Sequence, residues 1–182
     1  MKVRLLLALC PFLLIALGYT LRSTAAPQRK PVFSSQYTQL TNCGSGMTRK
    51  EERQAEQNGS DIPSRCKGLA GYFIDISYSA CSSSFSLSRG DENISLAMQA
   101  IDWKQKTVEW RLADGKPFAV IMRVYEYAGN ENCPDTGGKI KSESLRVQGL
   151  KGFEKIEGSV DARTPNANVK AREVADTGYA KL

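Results

Sequence analysis

The chain has 182 residues, 41% of them hydrophobic and 24% charged, with 25 Lys and Arg against 19 Asp and Glu. That length holds one domain with a proper core and is short for two. Histidine is absent, which excludes Ser-His-Asp and Cys-His triads, His-ligated zinc and the commonest general base near neutral pH.

Residues 1–25 read as an export signal. Lys2 and Arg4 form a basic start, Leu5–Leu17 is an apolar run broken by Pro11, and Ser23-Thr24-Ala25 supplies a small-residue cleavage site. Cleavage after Ala25 is favoured, because a cut after Ala26 leaves Pro27 beside the scissile bond. The run is shorter than the ~20 residues that cross a bilayer, so no stable membrane span is expected after cleavage. Cys10 follows Leu9 inside the run, where a lipoprotein signal needs a small residue, so lipidation is not expected. Removing Lys2, Arg4 and Arg22 leaves 22 basic against 19 acidic residues, a net charge of +3. No basic run interleaved with aromatics follows, and nucleic acid is not an expected partner.

Cys43, Cys66, Cys81 and Cys133 remain, an even count that reads as two disulfides in an oxidising compartment, periplasmic or secreted. Three pairings are open. Cys43–Cys66 with Cys81–Cys133 is expected, since the first pair brackets a polar loop and the second flanks the central hairpin. There is no C-x-x-C pair, so no metal is expected. Gly68 and Gly71 read as a turn, without the Lys-Ser/Thr pair and helix of a phosphate loop, and no cofactor is expected.

Along the chain, residues 26–36 form a flexible lead-in, and residues 37–182 a single disulfide-braced, β-rich domain. Tyr37–Thr41 is a short strand entering Cys43. Gly44–Arg65 lacks an apolar stripe and reads as a loop with a solvated helical turn over Arg49–Gln57. Tyr72–Tyr78 alternates cleanly, with Tyr72, Ile74, Ile76 and Tyr78 on one face. Cys81–Ser88 alternates Ser with Phe85 and Leu87, as an exposed or edge strand does. Arg89-Gly90-Asp91 matches an integrin-recognition tripeptide but reads as a turn between strands. Ile94–Trp103 fits strand and helix spacing alike.

Thr107–Tyr127 holds two alternating runs around Ala113-Asp114-Gly115-Lys116, a hairpin signal. A three-residue loop, Ala113–Gly115, pairs Trp110 with Phe118 and puts Val108, Trp110, Leu112, Phe118, Val120 and Met122 on one face. A two-residue loop on Asp114-Gly115 sets Trp110 opposite Ala119 and mixes the faces. The first register is expected. Ser144–Leu150 is a further strand beside the hairpin. Thr164-Pro165 marks a helix start, with Thr as N-cap, and Asn166–Asp176 presents Ala167, Ala171, Val174 and Ala175 as a small face. The fold class is therefore mainly β: an antiparallel curved sheet or incomplete barrel with a C-terminal α-helix packed on it.

Glu109, Arg111, Arg123 and Glu126 on the hairpin form the candidate binding face; no catalytic residue is assigned. Two carboxylates can support glycoside hydrolysis. The plainer reading is a salt-bridged sheet face, with Arg111 and Arg123 paired to Glu109, Glu126 or Asp161. Asp161, Arg163 and Asn166 cap the helix or hold an anion. The function expected is that of an exported, non-catalytic module binding another envelope protein or a small ligand. The alternative is a carboxylate-dependent hydrolase acting on envelope polymers.

Glu109-Trp110-Arg111, Pro117–Arg123, the tail Val160–Asn168, Ala171-Arg172-Glu173, Ala175-Asp176, Cys66-x-Gly68 and Gly71-Tyr72 together resemble an uncharacterised family of exported bacterial proteins. The resemblance spans roughly Tyr37–Asp176. It implies a periplasmic location and no established activity. This chain departs from the pattern in lacking a cysteine between Leu150 and Asp161 and in carrying Cys81 and Cys133.

Overall fold

Alternating apolar residues bury one face of a strand, and this chain has enough of them to build two sheets. The computed structural model describes residues 29–41, 43–79, 82–99, 107–127 and 140–182. Within Pro31–Leu182 the strands are β1 (Phe33–Gln39), β2 (Ser64–Lys67), β3 (Phe73–Ser79), β4 (Ser82–Arg89), β5 (Glu92–Gln99), β6 (Thr107–Ala113), β7 (Lys116–Tyr127), β8 (Ile140–Gly149) and β9 (Glu157–Asp161). The helices are α1 (Arg49–Gln57) and α2 (Ala167–Tyr179). Antiparallel pairing gives a five-stranded sheet, β1-β6-β7-β8-β9, and a four-stranded sheet, β2-β3-β4-β5. The expected mainly β architecture with α2 packed on it holds, realised as two open sheets rather than one.

The larger sheet lies between two apolar layers. On one side Tyr72, just before β3, and Ile74, Ile76, Phe85, Leu87 and Leu96 of the smaller sheet meet Val108, Trp110, Leu112, Val120, Met122 and Val124. Trp110 is fully buried, and its indole N–H donates to Thr38 Oγ1 at 2.9 Å. A Cβ on Gly68 would stand 2.6 Å from Trp110 Cζ2, so only glycine lets that turn close over the ring. On the other side Phe118, Ala119, Ile121, Leu145 and Val147 meet Ala167, Ala171 and Ala175 of α2. The small helix face brings Val174 over Gly158, where an added Cβ would lie 2.7 Å from Val174 Cγ1.

The hairpin corrects the expected register. Its turn is the two-residue Asp114-Gly115, with φ of 48° and 79°, the left-handed pair that favours Gly and Asp. Leu112 pairs with Pro117, but Arg111 pairs with Ala119 and Trp110 with Val120, because Phe118 is an extra residue in β7. This β-bulge undoes the slip that the shorter turn introduces. Val108, Trp110, Leu112, Val120 and Met122 keep their shared face, while Phe118 crosses to the α2 side. There it meets the rings of Phe33, Phe153 and Tyr179 at centroid distances of 5.8, 5.9 and 4.8 Å.

Other boundaries shift for local reasons. The lead-in ends earlier than residue 36, since β1 begins at Phe33; its Ser35 and Tyr37 meet charges on β6 and α2 rather than an apolar layer. β4 is internal, between β3 and β5, with Phe85 and Leu87 buried against the other sheet and Ser84, Ser86 and Ser88 on the opposite face. α1 is a full helix closed by a capping box, Thr48 with Glu51. α2 starts after Asn166, in the left-handed region at φ 59° and without a side-chain cap. Thr164 N–H donates to Asp161 O at 3.0 Å and Ala167 N–H to Thr164 O at 3.1 Å, so Thr164-Pro165 forms a turn before the helix instead of its first residues. Arg89, in the Arg89-Gly90-Asp91 turn, lies over the Tyr72 ring at 4.3 Å and pairs with Glu92 at 3.3 Å.

Cys43 and Cys66 form the expected disulfide, with Cα atoms 4.6 Å apart, and Cys66 is buried between the sheets. Cys81 and Cys133, the second expected pair, lie outside the described residues. The bond closes a segment with a sequence separation of 23, worth ~3 kcal/mol if loop entropy dominates. The double variant Cys43→Ser/Cys66→Ala is expected to lose about that much in equilibrium urea unfolding, and unchanged stability would show that the loop is held by other contacts.

Candidate functional site

The alternation of β6 places Glu109 and Arg111 on one face, beneath α2. The helix supplies their partners. Arg172 and Asp176 are four residues apart, on one side of α2, next to the buried Ala171 and Ala175. Arg111 Nε and Nη2 donate to Asp176 Oδ1 and Oδ2 at 2.9 and 2.6 Å. Arg172 Nε donates to Glu109 Oε1 at 2.6 Å, and its Nη2 reaches Tyr37 Oη at 3.0 Å. Ser35 links the two pairs: its hydroxyl donates to Glu109 Oε1 at 2.5 Å and accepts from Arg111 Nη1 at 2.9 Å. Hydrogen bonding to Glu109 strengthens the hold of Arg172 on its proton.

This seam is charged and internally satisfied, buried on the β6 side and partly exposed on the α2 side. The Glu109 and Arg111 side chains are only 9% and 10% exposed. Such pairs persist in a low-dielectric setting because each charge meets both an opposite charge and further hydrogen bonds. What the seam does is lock α2 onto the sheet. It offers no open carboxylate for chemistry.

Arg123 and Glu126 sit elsewhere. Arg123 pairs with Glu143 on β8, and neither Glu109, Glu126 nor Asp161 is its partner. Glu126 stands on the opposite sheet face and accepts from Ser142 Oγ at 2.7 Å. The four candidate residues are therefore not gathered into one face. Asp161 pairs with Arg163, Nη2 to Oδ2 at 3.0 Å, and Asn166 makes no cap bond.

Two open concavities lie at the far end of the larger sheet, on either side of β9. A groove of about 430 Å³ is lined by Val124, Glu126, Ser144, Arg146, Glu157 and Ser159. A second, of about 660 Å³, runs along α2 past Lys155, Ile156, Lys170, Val174, Lys181 and Leu182. Glu157 lines both. Both volumes fall in the range of small-molecule or peptide sites. Of the hairpin candidates, only Glu126 lines either of these two grooves. The remaining groove residues do not stand out in the sequence, because Glu157–Asp161 and its neighbours carry no periodic apolar signal.

The two arginines of the hairpin should respond differently to truncation. Arg111→Ala strands Asp176 against the sheet and is expected to cost ~3 kcal/mol or more. Arg123 has a side chain 32% exposed, and Arg123→Ala is expected to cost under ~1 kcal/mol. Thermal melts of the two variants check this, and equal losses would refute the distinction. Comparison with protein-family models, with curated proteins and with solved structures finds no match for this chain.

Proposed function

We propose that the chain is an exported, non-catalytic binding module of the periplasm or cell exterior, acting on another envelope protein or a small ligand through the grooves beside β9. The observation that carries this reading is the state of the carboxylates. A carboxylate-dependent hydrolase needs one carboxyl raised toward neutrality to act as an acid. Every displaced carboxyl among the described residues moves the other way. The Thr48 N–H lowers Glu51, the Lys151 ammonium lowers Glu92, the Gly152 N–H lowers Glu154 and the Arg163 guanidinium lowers Asp161. Burial pushes Asp75 up, but hydrogen bonds from Arg65 and Ser88 overcome it and leave it lowered as well. Of the carboxylates a hydrolase would draw from the hairpin, Glu109 is taken up by Arg172 and Ser35, and Glu126 accepts from Ser142 on the opposite sheet face.

Export is supported by the residue 1–25 pattern and by the Cys43–Cys66 bond, which belongs in an oxidising compartment. No helix among the described residues is long and apolar enough to cross a membrane. The resemblance to exported bacterial proteins points the same way.

Expression of the full chain in a Gram-negative host, followed by fractionation and mass spectrometry, tests the reading. The expected product is a periplasmic chain beginning at Ala26 that releases no sugar or peptide from isolated envelopes. Retention of Met1 in the cytoplasm would contradict export. Envelope hydrolysis lost in Glu126→Gln would contradict the non-catalytic assignment in favour of the hydrolase.

A further inference from the structure

We infer that β9 is a docking edge, to which an extended segment of a partner protein adds as a further strand, with carboxylates at alternate positions facing α2. The inference rests on the binding-module reading and names its partner class. β9 ends the five-stranded sheet. Gly149 N–H donates to Ile156 O at 2.6 Å and Ala162 N–H to Glu143 O at 2.8 Å. These bonds set the antiparallel alternation, so Gly158 and Val160 turn their main-chain groups toward β8, and Glu157 and Ser159 turn theirs outward. Among the described residues those outward groups have no partner.

A bare edge is common; this one is flanked by a concavity on each face. The side chains of an added strand alternate between the two faces, as in other recognition by strand addition. One set enters the groove of Ser159 and Arg146, the other the groove along α2. In the second, Lys155, Lys170 and Lys181 line the wall, and none of the three lysines has an ion pair among the described residues. These uncompensated ammonium groups favour carboxylates on the incoming segment. A second copy of β9 fits poorly, because antiparallel self-pairing about Ser159 sets Glu157 opposite Asp161, like charge against like.

The blocked hexapeptide Thr-Glu-Thr-Glu-Thr-Glu, titrated into the oxidised mature chain and followed by calorimetry and amide exchange, is the probe. Saturable binding that slows exchange at Glu157 and Ser159 is expected. Ser159→Pro removes the outward N–H without breaking an internal bond and should weaken binding about tenfold or more, while Ser159→Ala should not. A peptide N-methylated at alternate residues should lose as much, a result that does not depend on how the variant folds. Lys170→Glu/Lys181→Glu should weaken this peptide and favour Thr-Lys-Thr-Lys-Thr-Lys. Absence of saturation, indifference to N-methylation and Ser159→Pro, or self-association through β9 would each overturn the inference. Such failure beside intact export and absent envelope hydrolysis would remove the edge alone and leave the module reading standing.

Discussion

Strand β6 is buried on both faces, and each of its side chains must be satisfied by a different layer. Val108, Trp110 and Leu112 face the smaller sheet, while Glu109 and Arg111 face α2 and β1. A slip of one residue would exchange these sets, driving a charge into the apolar layer and an indole into the ionic one. The bulge at Phe118 prevents that slip on the β7 side. It lets a tight two-residue turn coexist with the only facing that both layers accept. Phe118, displaced by its own bulge, becomes the centre of the aromatic group under α2. Turn, bulge, core and helix contact are thus one constraint seen at four places.

The same constraint separates bracing from recognition. Charges on a hairpin attract attention as a site, yet those on β6 are consumed in holding α2. Charges on the outer strands β8 and β9 remain available. Arg146 and Glu157 are exposed there, and the β9 edge has main-chain groups with no partner among the described residues. A rigid centre with an open edge is the arrangement a binding module needs, since the ligand then meets a surface that is already ordered.

How far the sequence could be read depended on where each element found its partners. β3, β6, β7 and β8 were legible because their apolar residues repeat at the strand period and face apolar layers. The Ala face of α2 was legible for the same reason. β1, β2 and β9 were less so: their partners are ion pairs, hydroxyls or solvent, which leave no hydrophobic period. The register of the hairpin is hidden in the sequence because a turn and a bulge compensate each other, and only their sum shows in the face pattern. The site was half legible. Arg172 and Asp176 stood at helical spacing beside the Ala face, but nothing local tied them to Glu109 and Arg111, whose contact spans 63 and 65 residues.

The central claim is that the hairpin charges form a structural seam with α2, and a double-mutant cycle on Arg111 and Asp176 tests it most directly. Equilibrium unfolding of Arg111→Ala, Asp176→Ala and the double variant isolates the pairwise interaction from the other effects of each truncation. A coupling of ~2 kcal/mol or more is predicted for a bidentate pair whose guanidinium is buried. A coupling below ~0.5 kcal/mol would mean that the two charges do not depend on one another, and that α2 is held by its alanine face alone.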